Sequence, residues 1–405
     1  MVNVFFWEEH QDVKEKKLGN FPRLWASPAE AVFFIAGILF VIGTINVFSA
    51  SFVLGGQLFR DGYFFLTRHL ISFAVGFVAM LAAAVIDYRK IRRGWLLLAI
   101  LAVVGLLVAV HFMGVEANGA RRWLNLGGFT FQPSELAKLT AIIVTAAYLG
   151  AQLDRGRPVS LKSWPIAVSV VLGVFVLKQP DMGTAAVIVG LSLVLYILAG
   201  IPKQELYALA LGGAGMTVYL VYAAAYRAER IWAWLDPWAY QQTSGYQTVQ
   251  SLLAIGSGGL FGSGLGMGAS KFHYLPEAHT DFAFAVLCQE MGFMGAVVVL
   301  LLLGALAWYG LQIASKAPDG YGFFLAAGVT TLVVGQAVGN IAMVSGVVPV
   351  TGVPLPFISF GGTSLIVNCA AIGLLISVGR RTTAKVFQPG SRSTPARGSR
   401  LKLVK

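Results

Sequence analysis

Charge is scarce in this 405-residue chain. Only 12% of residues are Asp, Glu, Lys or Arg, against about 25% in soluble domains, so water is the wrong solvent for most of its surface. Cysteine is almost missing. Cys288 and Cys369 both lie in apolar runs and read as small core residues, which excludes a disulfide framework or a cysteine-based metal cage. The five histidines, His10, His69, His111, His273 and His279, show no zinc-site spacing. Acidic residues are outnumbered, 18 against 30 Lys and Arg, for a formal net charge of +12. In a soluble protein that balance points to nucleic acid. Here the positive charge sits in short loops and a tail, which sets nucleic acid aside. The polar, mixed-charge first thirty residues lack the short apolar core of a secretory signal.

Apolar residues fill the gap: 57% are hydrophobic and mean hydropathy is +0.74. Glycine is abundant at 47 residues, which suits close helix packing in lipid. A span needs about 20 apolar residues, and about ten candidates occur, at roughly 31–54, 65–86, 95–113, 134–153, 163–178, 182–200, 205–226, 281–313, 321–345 and 364–379. The fold expected is an all-α polytopic membrane protein of about ten transmembrane helices. Residues 1–30 form a cytoplasmic segment, 31–380 the membrane domain and 381–405 a basic, disordered cytoplasmic tail. Loops bearing Arg89, Lys90, Arg92 and Arg93, then Arg155, Arg157 and Lys162, then Lys203 and Lys316 alternate with loops poor in Lys and Arg. The positive-inside rule puts the basic set, and both termini, in the cytoplasm.

Three outer segments follow. Residues 114–133 carry Trp, Asn and Gly. Residues 227–280, between the seventh and eighth spans, form the longest loop and contain amphipathic stretches. Residues 346–363 are rich in Pro and Gly. Their aromatic content favours order and function over disorder. The glycines from Gly256 to Gly268 do not fit a nucleotide-binding loop and read as close backbone packing or a flexible loop.

Ionisable groups at membrane depth are expensive and mark candidate sites. Glu135 and Lys138 share a helix face after Pro133, either as a structural ion pair or as the charged wall of a cavity. Asp281 stands between a wet loop and a 34-residue apolar run, too long for one untilted span. It reads either as a helix N-cap or as a carboxylate made basic by desolvation. Gly292 and Gly295 mark where the true span begins, and Glu290 reads as a helix–helix contact or a second acid. Arg121, Arg122, Lys178, Arg227, Arg230 and Lys271 lie on the outer side against the orientation rule. They suit either lipid headgroups or a pyrophosphate.

Four long stretches, in order, resemble the signatures of the SEDS family (shape, elongation, division and sporulation). They are Asn118-Gly119-Ala120-Arg121-Arg122-Trp123 running on to Gln132-Pro133-Ser134-Glu135-Leu136-Ala137-Lys138; Gln179-Pro180-Asp181-Met182-Gly183-Thr184; Gly245-Tyr246-Gln247 through Leu275-Pro276-Glu277-Ala278-His279-Thr280-Asp281-Phe282; and Pro354-Leu355-Pro356-Phe357-Ile358-Ser359-Phe360-Gly361-Gly362-Thr363-Ser364. The Leu275–Phe282 form and Asp236-Pro237-Trp238 resemble the division branch, whereas Pro349-Val350-Thr351-Gly352 resembles the elongation branch. The division branch is the better match. Phe360, Thr363 and Cys288-Gln289-Glu290 depart from the family's usual Tyr, Ser and Gly-Glu-Glu.

The resemblance implies ten spans in the bacterial inner membrane and a peptidoglycan glycosyltransferase that polymerises lipid II on the outer face. It implies Asp281 as general base, with Arg122 and Lys138 on the pyrophosphate and Glu135, Gln179, His279 and Ser364 in the cavity. Lipid II, an undecaprenyl-pyrophosphate-linked glycan, a class B penicillin-binding protein, other division or elongation proteins and membrane lipids are the implied partners. No cofactor is certain; a divalent cation, Mg or Mn, would share the pyrophosphate charge. Two other classes fit the same spans and intramembrane charges: a lipid II flippase or transporter, and a non-catalytic scaffold for a penicillin-binding protein.

Overall fold

The computed structural model describes residues 25–386, apart from 92, 118, 223–224 and 269–274. Residues 387–405 of the expected basic tail and most of the N-terminal segment lie outside the described residues, as does Lys271; residues 381–386, expected in the disordered tail, instead continue the last helix. Ten long helices coincide with the ten expected spans: α1 (Pro28–Phe59), α2 (Phe64–Val85), α3 (Arg93–Met113), α4 (Pro133–Leu153), α5 (Trp164–Leu177), α6 (Met182–Leu198), α7 (Lys203–Tyr222), α10 (Ala283–Ser315), α11 (Gly320–Val344) and α12 (Gly362–Val386). The remaining two, α8 (Ala225–Leu235) and α9 (Tyr246–Ser257), form inside the longest loop, where amphipathic stretches were expected. Seven of the ten are long and apolar enough to cross a membrane, and α5 and α6 are shorter apolar helices. The protein is a multi-pass helical membrane protein.

Burial separates inner from outer helices. The apolar window is 83% buried in α12, 67% in α11 and 61% in α4, but only 28% in α2 and 22% in α3. Small residues bring the helices together, as lipid-embedded packing requires. A methyl group at Gly76 of α2 would lie 3.1 Å from Cys369, and one at Gly373 of α12 would lie 2.3 Å from the Met80 carbonyl oxygen.

The long apolar run after Asp281 is broken where expected. Gly292 adopts φ 67°, ψ −167° inside α10, a conformation that a side chain resists. The bend is packed backbone to backbone: a methyl at Gly292 would sit 2.3 Å from the Gly262 nitrogen, and one at Gly262 would sit 2.1 Å from the Glu290 carbonyl oxygen. The glycine-rich stretch is therefore a close-packing surface for the kink.

One departure from all-α is a small antiparallel sheet in the first outer segment, β1 (Val115–Ala117), β2 (Ala120–Leu126) and β3 (Phe129–Phe131). Gly127 and Gly128, at φ 62° and 90°, supply the two left-handed residues of a tight hairpin turn. The Asn125 side chain accepts from the Gly128 N–H at 2.9 Å.

At the opposite end the polar groups are wired together. Arg89 pairs with Asp319 at 2.6 Å and Arg381 with Asp87 at 3.1 Å. Asp319 also accepts from the Tyr88 hydroxyl at 2.9 Å and caps α11 through the Gly322 N–H at 2.7 Å.

Candidate functional site

The site is assembled from the four signature stretches. Gln132-Pro133 opens α4 with proline in its first turn, where its missing N–H costs nothing. The Gln132 N–H donates to the Thr363 hydroxyl at 3.0 Å, and that hydroxyl donates to the Thr130 carbonyl at 3.3 Å. Thr363 thus clasps the start of α12 to β3. From β2, the Arg122 guanidinium donates to the Gln179 carbonyl at 3.1 Å and to the Pro180 carbonyl. The next residue, Asp181, caps α6 through the Thr184 N–H at 3.0 Å. The side-chain amide of Gln132 reaches its other oxygen at 3.5 Å.

Asp281 enters from a separate turn. The Thr280 and Phe282 N–H groups both donate to the Glu277 carbonyl, at 3.1 and 3.2 Å, while Glu277 itself holds a left-handed φ of 54°. Such strain survives only where surrounding structure enforces it. Asn340, buried in α11, supplies that enforcement: its amide donates to the Asp281 carbonyl at 2.7 Å and to the Val353 carbonyl at 2.8 Å. The turn is thereby tied to the 346–361 loop. A methyl at Gly352 would lie 3.4 Å from Asp281 Oδ2, and one at Gly183 would lie 2.3 Å from the Thr351 carbonyl oxygen. The neighbours Thr351 and Gly352 therefore bridge Asp281 to the start of α6, where Asp181 sits.

Asp281 is no helix cap. Phe282 occupies that position, and no side chain caps α10. Among the described residues the Asp281 carboxylate has no hydrogen-bond or ion-pair partner. Burial pushes its pKa up from 3.8 to about 7, the negative charges of Glu277 and Asp181 add to the rise, and Arg122 opposes it. Asp281, Asp181, Glu277 and Arg122 thus share one electrostatic neighbourhood.

The other expected site residues are placed differently. Lys138 and Glu135 are 1% and 2% exposed and form a buried ion pair at 2.8 Å. One Glu135 oxygen stays without a partner among the described residues. The Gln179 amide donates to the Leu107 carbonyl at 3.2 Å. His279 lies buried between Phe65 and Phe360, ring centroids 4.6 and 5.7 Å away, and burial lowers its pKa; its carbonyl accepts from the Phe360 N–H at 2.8 Å. Ser364 accepts from Asn368 at 3.2 Å. Glu290 accepts from the Ser49 hydroxyl at 2.7 Å, a helix–helix contact at the kink. Among the described residues, no group of three or more His, Cys, Asp or Glu gathers that could hold a metal ion.

Asn340 and Gln132 are not picked out as site residues by sequence reasoning, whereas Asp181 is flagged as an ionisable group at a span end. Asn340 had a signal, a lone amide in an apolar span. Asp181 and Gln132 stood in the signatures, but nothing in spacing ranks them.

A multi-pass helical bundle with a buried acid and an arginine at one end defines the class: a membrane-embedded protein with a polar site at the ends of its spans. The chain belongs to the FtsW, RodA and SpoVE family, described as cell cycle protein, which it matches over residues 29–384. It is 40% identical to stage V sporulation protein E of Bacillus subtilis (strain 168) over 87% of this chain and 97% of that protein. It is also 40% identical to "Probable peptidoglycan glycosyltransferase FtsW" of Geobacter sp. (strain M18), over 86% and 96%. Among solved structures it resembles a chain of "Structural coordination of polymerization and crosslinking by a peptidoglycan synthase complex", with TM-score 0.70, 28% identity and 88% and 99% coverage. It also resembles the rod shape determining protein RodA of Thermus thermophilus, with TM-score 0.61, 27% identity and 89% and 99% coverage. The SEDS resemblance is thus met.

Proposed function

We propose that this protein is a peptidoglycan glycosyltransferase of the bacterial inner membrane that polymerises lipid II on the outer face for cell division. The names of its FtsW relatives support the activity. The observation that carries the mechanism is the Asp281 carboxylate, unpartnered among the described residues and within electrostatic reach of Arg122.

In this reading Asp281 removes the proton from the acceptor sugar hydroxyl. The resulting oxygen attacks the anomeric carbon of the donor, a new glycosidic C–O bond forms, and the bond from that carbon to the lipid pyrophosphate breaks. A base with a pKa near working pH is best matched to such a transfer. Arg122, already fixed by two carbonyls, stabilises the departing negative charge without reorganising. The Lys138–Glu135 pair is a rigid strut behind the site, since a buried pair of this kind is costly to break. A divalent cation, Mg or Mn, would share the negative charge of the pyrophosphate when bound. The partner is a class B penicillin-binding protein, in keeping with the synthase-complex neighbour.

The test is labelled lipid II in proteoliposomes, with and without a cognate class B penicillin-binding protein. Glycan polymer that disappears in Asp281→Asn supports the proposal. Lipid movement without polymer identifies a flippase, and neither activity identifies a scaffold.

A further inference from the structure

The longest outer loop carries a recess of about 440 Å³ that the reaction described above does not use. Its volume falls within the range of small-molecule sites, roughly 300–1,000 Å³. One wall is α8 with Trp234; the floor is the 243–248 segment with Thr243, Ser244 and Gln247; Pro276 and Val350 close it. Those last two connect it to the site. Pro276 precedes Glu277 in the Asp281 turn, and Val350 precedes the Thr351-Gly352 bridge.

Three observations point to the chemistry of an occupant. The Trp234 indole is held by its N–H to the Gly346 carbonyl at 3.0 Å, so the ring forms a fixed apolar wall, and Tyr246 adds a second aromatic ring. The Ser244 hydroxyl is buried in the lining yet has no hydrogen-bond partner among the described residues, a cost that a ligand's polar group would remove. The charges in the lining, Glu229 and Arg230, offset each other, which disfavours a phosphate or an anionic headgroup. Aromatic walls with hydroxyl and amide groups suit a neutral pyranose, whose C–H face packs on a ring while its edge exchanges hydrogen bonds.

We infer that this recess binds a sugar unit of the glycan chain beside the pair that reacts at Asp281. The inference rests on the polymerase reading for the identity of the sugar. Bound there, the chain would be held in register between additions, so the recess would govern the length of the product.

The test measures binding of a lipid-free peptidoglycan tetrasaccharide to the full chain in nanodiscs, together with product length from lipid II. The wild-type protein and Asp281→Asn should bind the tetrasaccharide alike. Gln247→Ala and Ser244→Leu should weaken binding about tenfold, the effect of one or two lost hydrogen bonds, and shorten the polymer. Gln247→Ala changes only a half-buried side chain and keeps the test valid where Ser244→Leu fails to fold. Undiminished binding in Gln247→Ala, or no saturable binding to the wild-type protein, overturns the recess. Tetrasaccharide binding that is lost in the variants, from a wild-type chain that makes no polymer, sinks the polymerase reading and leaves a glycan site.

Discussion

Two aspartates at the starts of helices, Asp319 before α11 and Asp281 before α10, lie at opposite ends of the bundle and have opposite surroundings. Asp319 accepts from Arg89, from the Tyr88 hydroxyl and from the Gly322 N–H of the helix it caps. Asp281 stands one residue ahead of the N-cap. Its nearest charges include two acids, Glu277 and Asp181, and among the described residues its positive neighbour, Arg122, is bonded to carbonyl oxygens. A saturated carboxylate holds a fold together. One unpaired among the described residues, and kept in place by its backbone through Asn340, is free to take a proton.

The comparison breaks most sharply by mutation. Asp281→Asn should cut the polymerisation rate by about 10²–10⁴-fold, the usual contribution of a general base, with the fold intact by thermal melting. Arg122→Ala should cost about 10²-fold through lost stabilisation of the leaving group, again read as the rate with lipid II. At the other end, Asp319→Ala should leave that rate unchanged and lower stability by about 1–2 kcal/mol. That is the cost of a helix cap plus a stranded hydroxyl; the Arg89 pair, 43% exposed on the arginine side, adds little.

Stability should separate the two residues as well. The Asp281 pKa is raised on folding, so the folded chain holds this proton more tightly than the unfolded chain. The carboxylate therefore costs nothing below about pH 4, and destabilises progressively as pH rises through about 7. Asp281→Asn should accordingly melt higher than the wild-type protein at pH 8, with the gap closing by pH 4. The smallest effect sharpens the account: Glu277→Gln removes one acid that raises the Asp281 pKa and should move the acidic limb of the rate profile to lower pH, while Arg122→Gln moves it up.

Much of this fold was legible because lipid imposes a simple rule. Runs of apolar residues must be helices, and ten such runs became the ten long helices. The kink at Gly292 was readable from a run too long for one span. The hairpin around Trp123 was not, since three short strands carry little periodicity and the decisive turn is the Gly127-Gly128 pair. At the site, Asp281 could be singled out as a carboxylate beside an apolar run, but the cap reading is excluded only by the position of Phe282. Lys138 and Glu135 read equally as ion pair or cavity wall, and the 2.8 Å pair they form depends on rotamers that no spacing dictates. Asn340 carries the Asp281 backbone from 59 residues away, a relation invisible along the chain.

The pH dependence of lipid II polymerisation by the purified wild-type protein tests the basic carboxylate most directly. The rate should fall tenfold per unit below a single midpoint near 7, as protonation silences Asp281. A rate that stays level from pH 8 down to pH 5 would contradict the account.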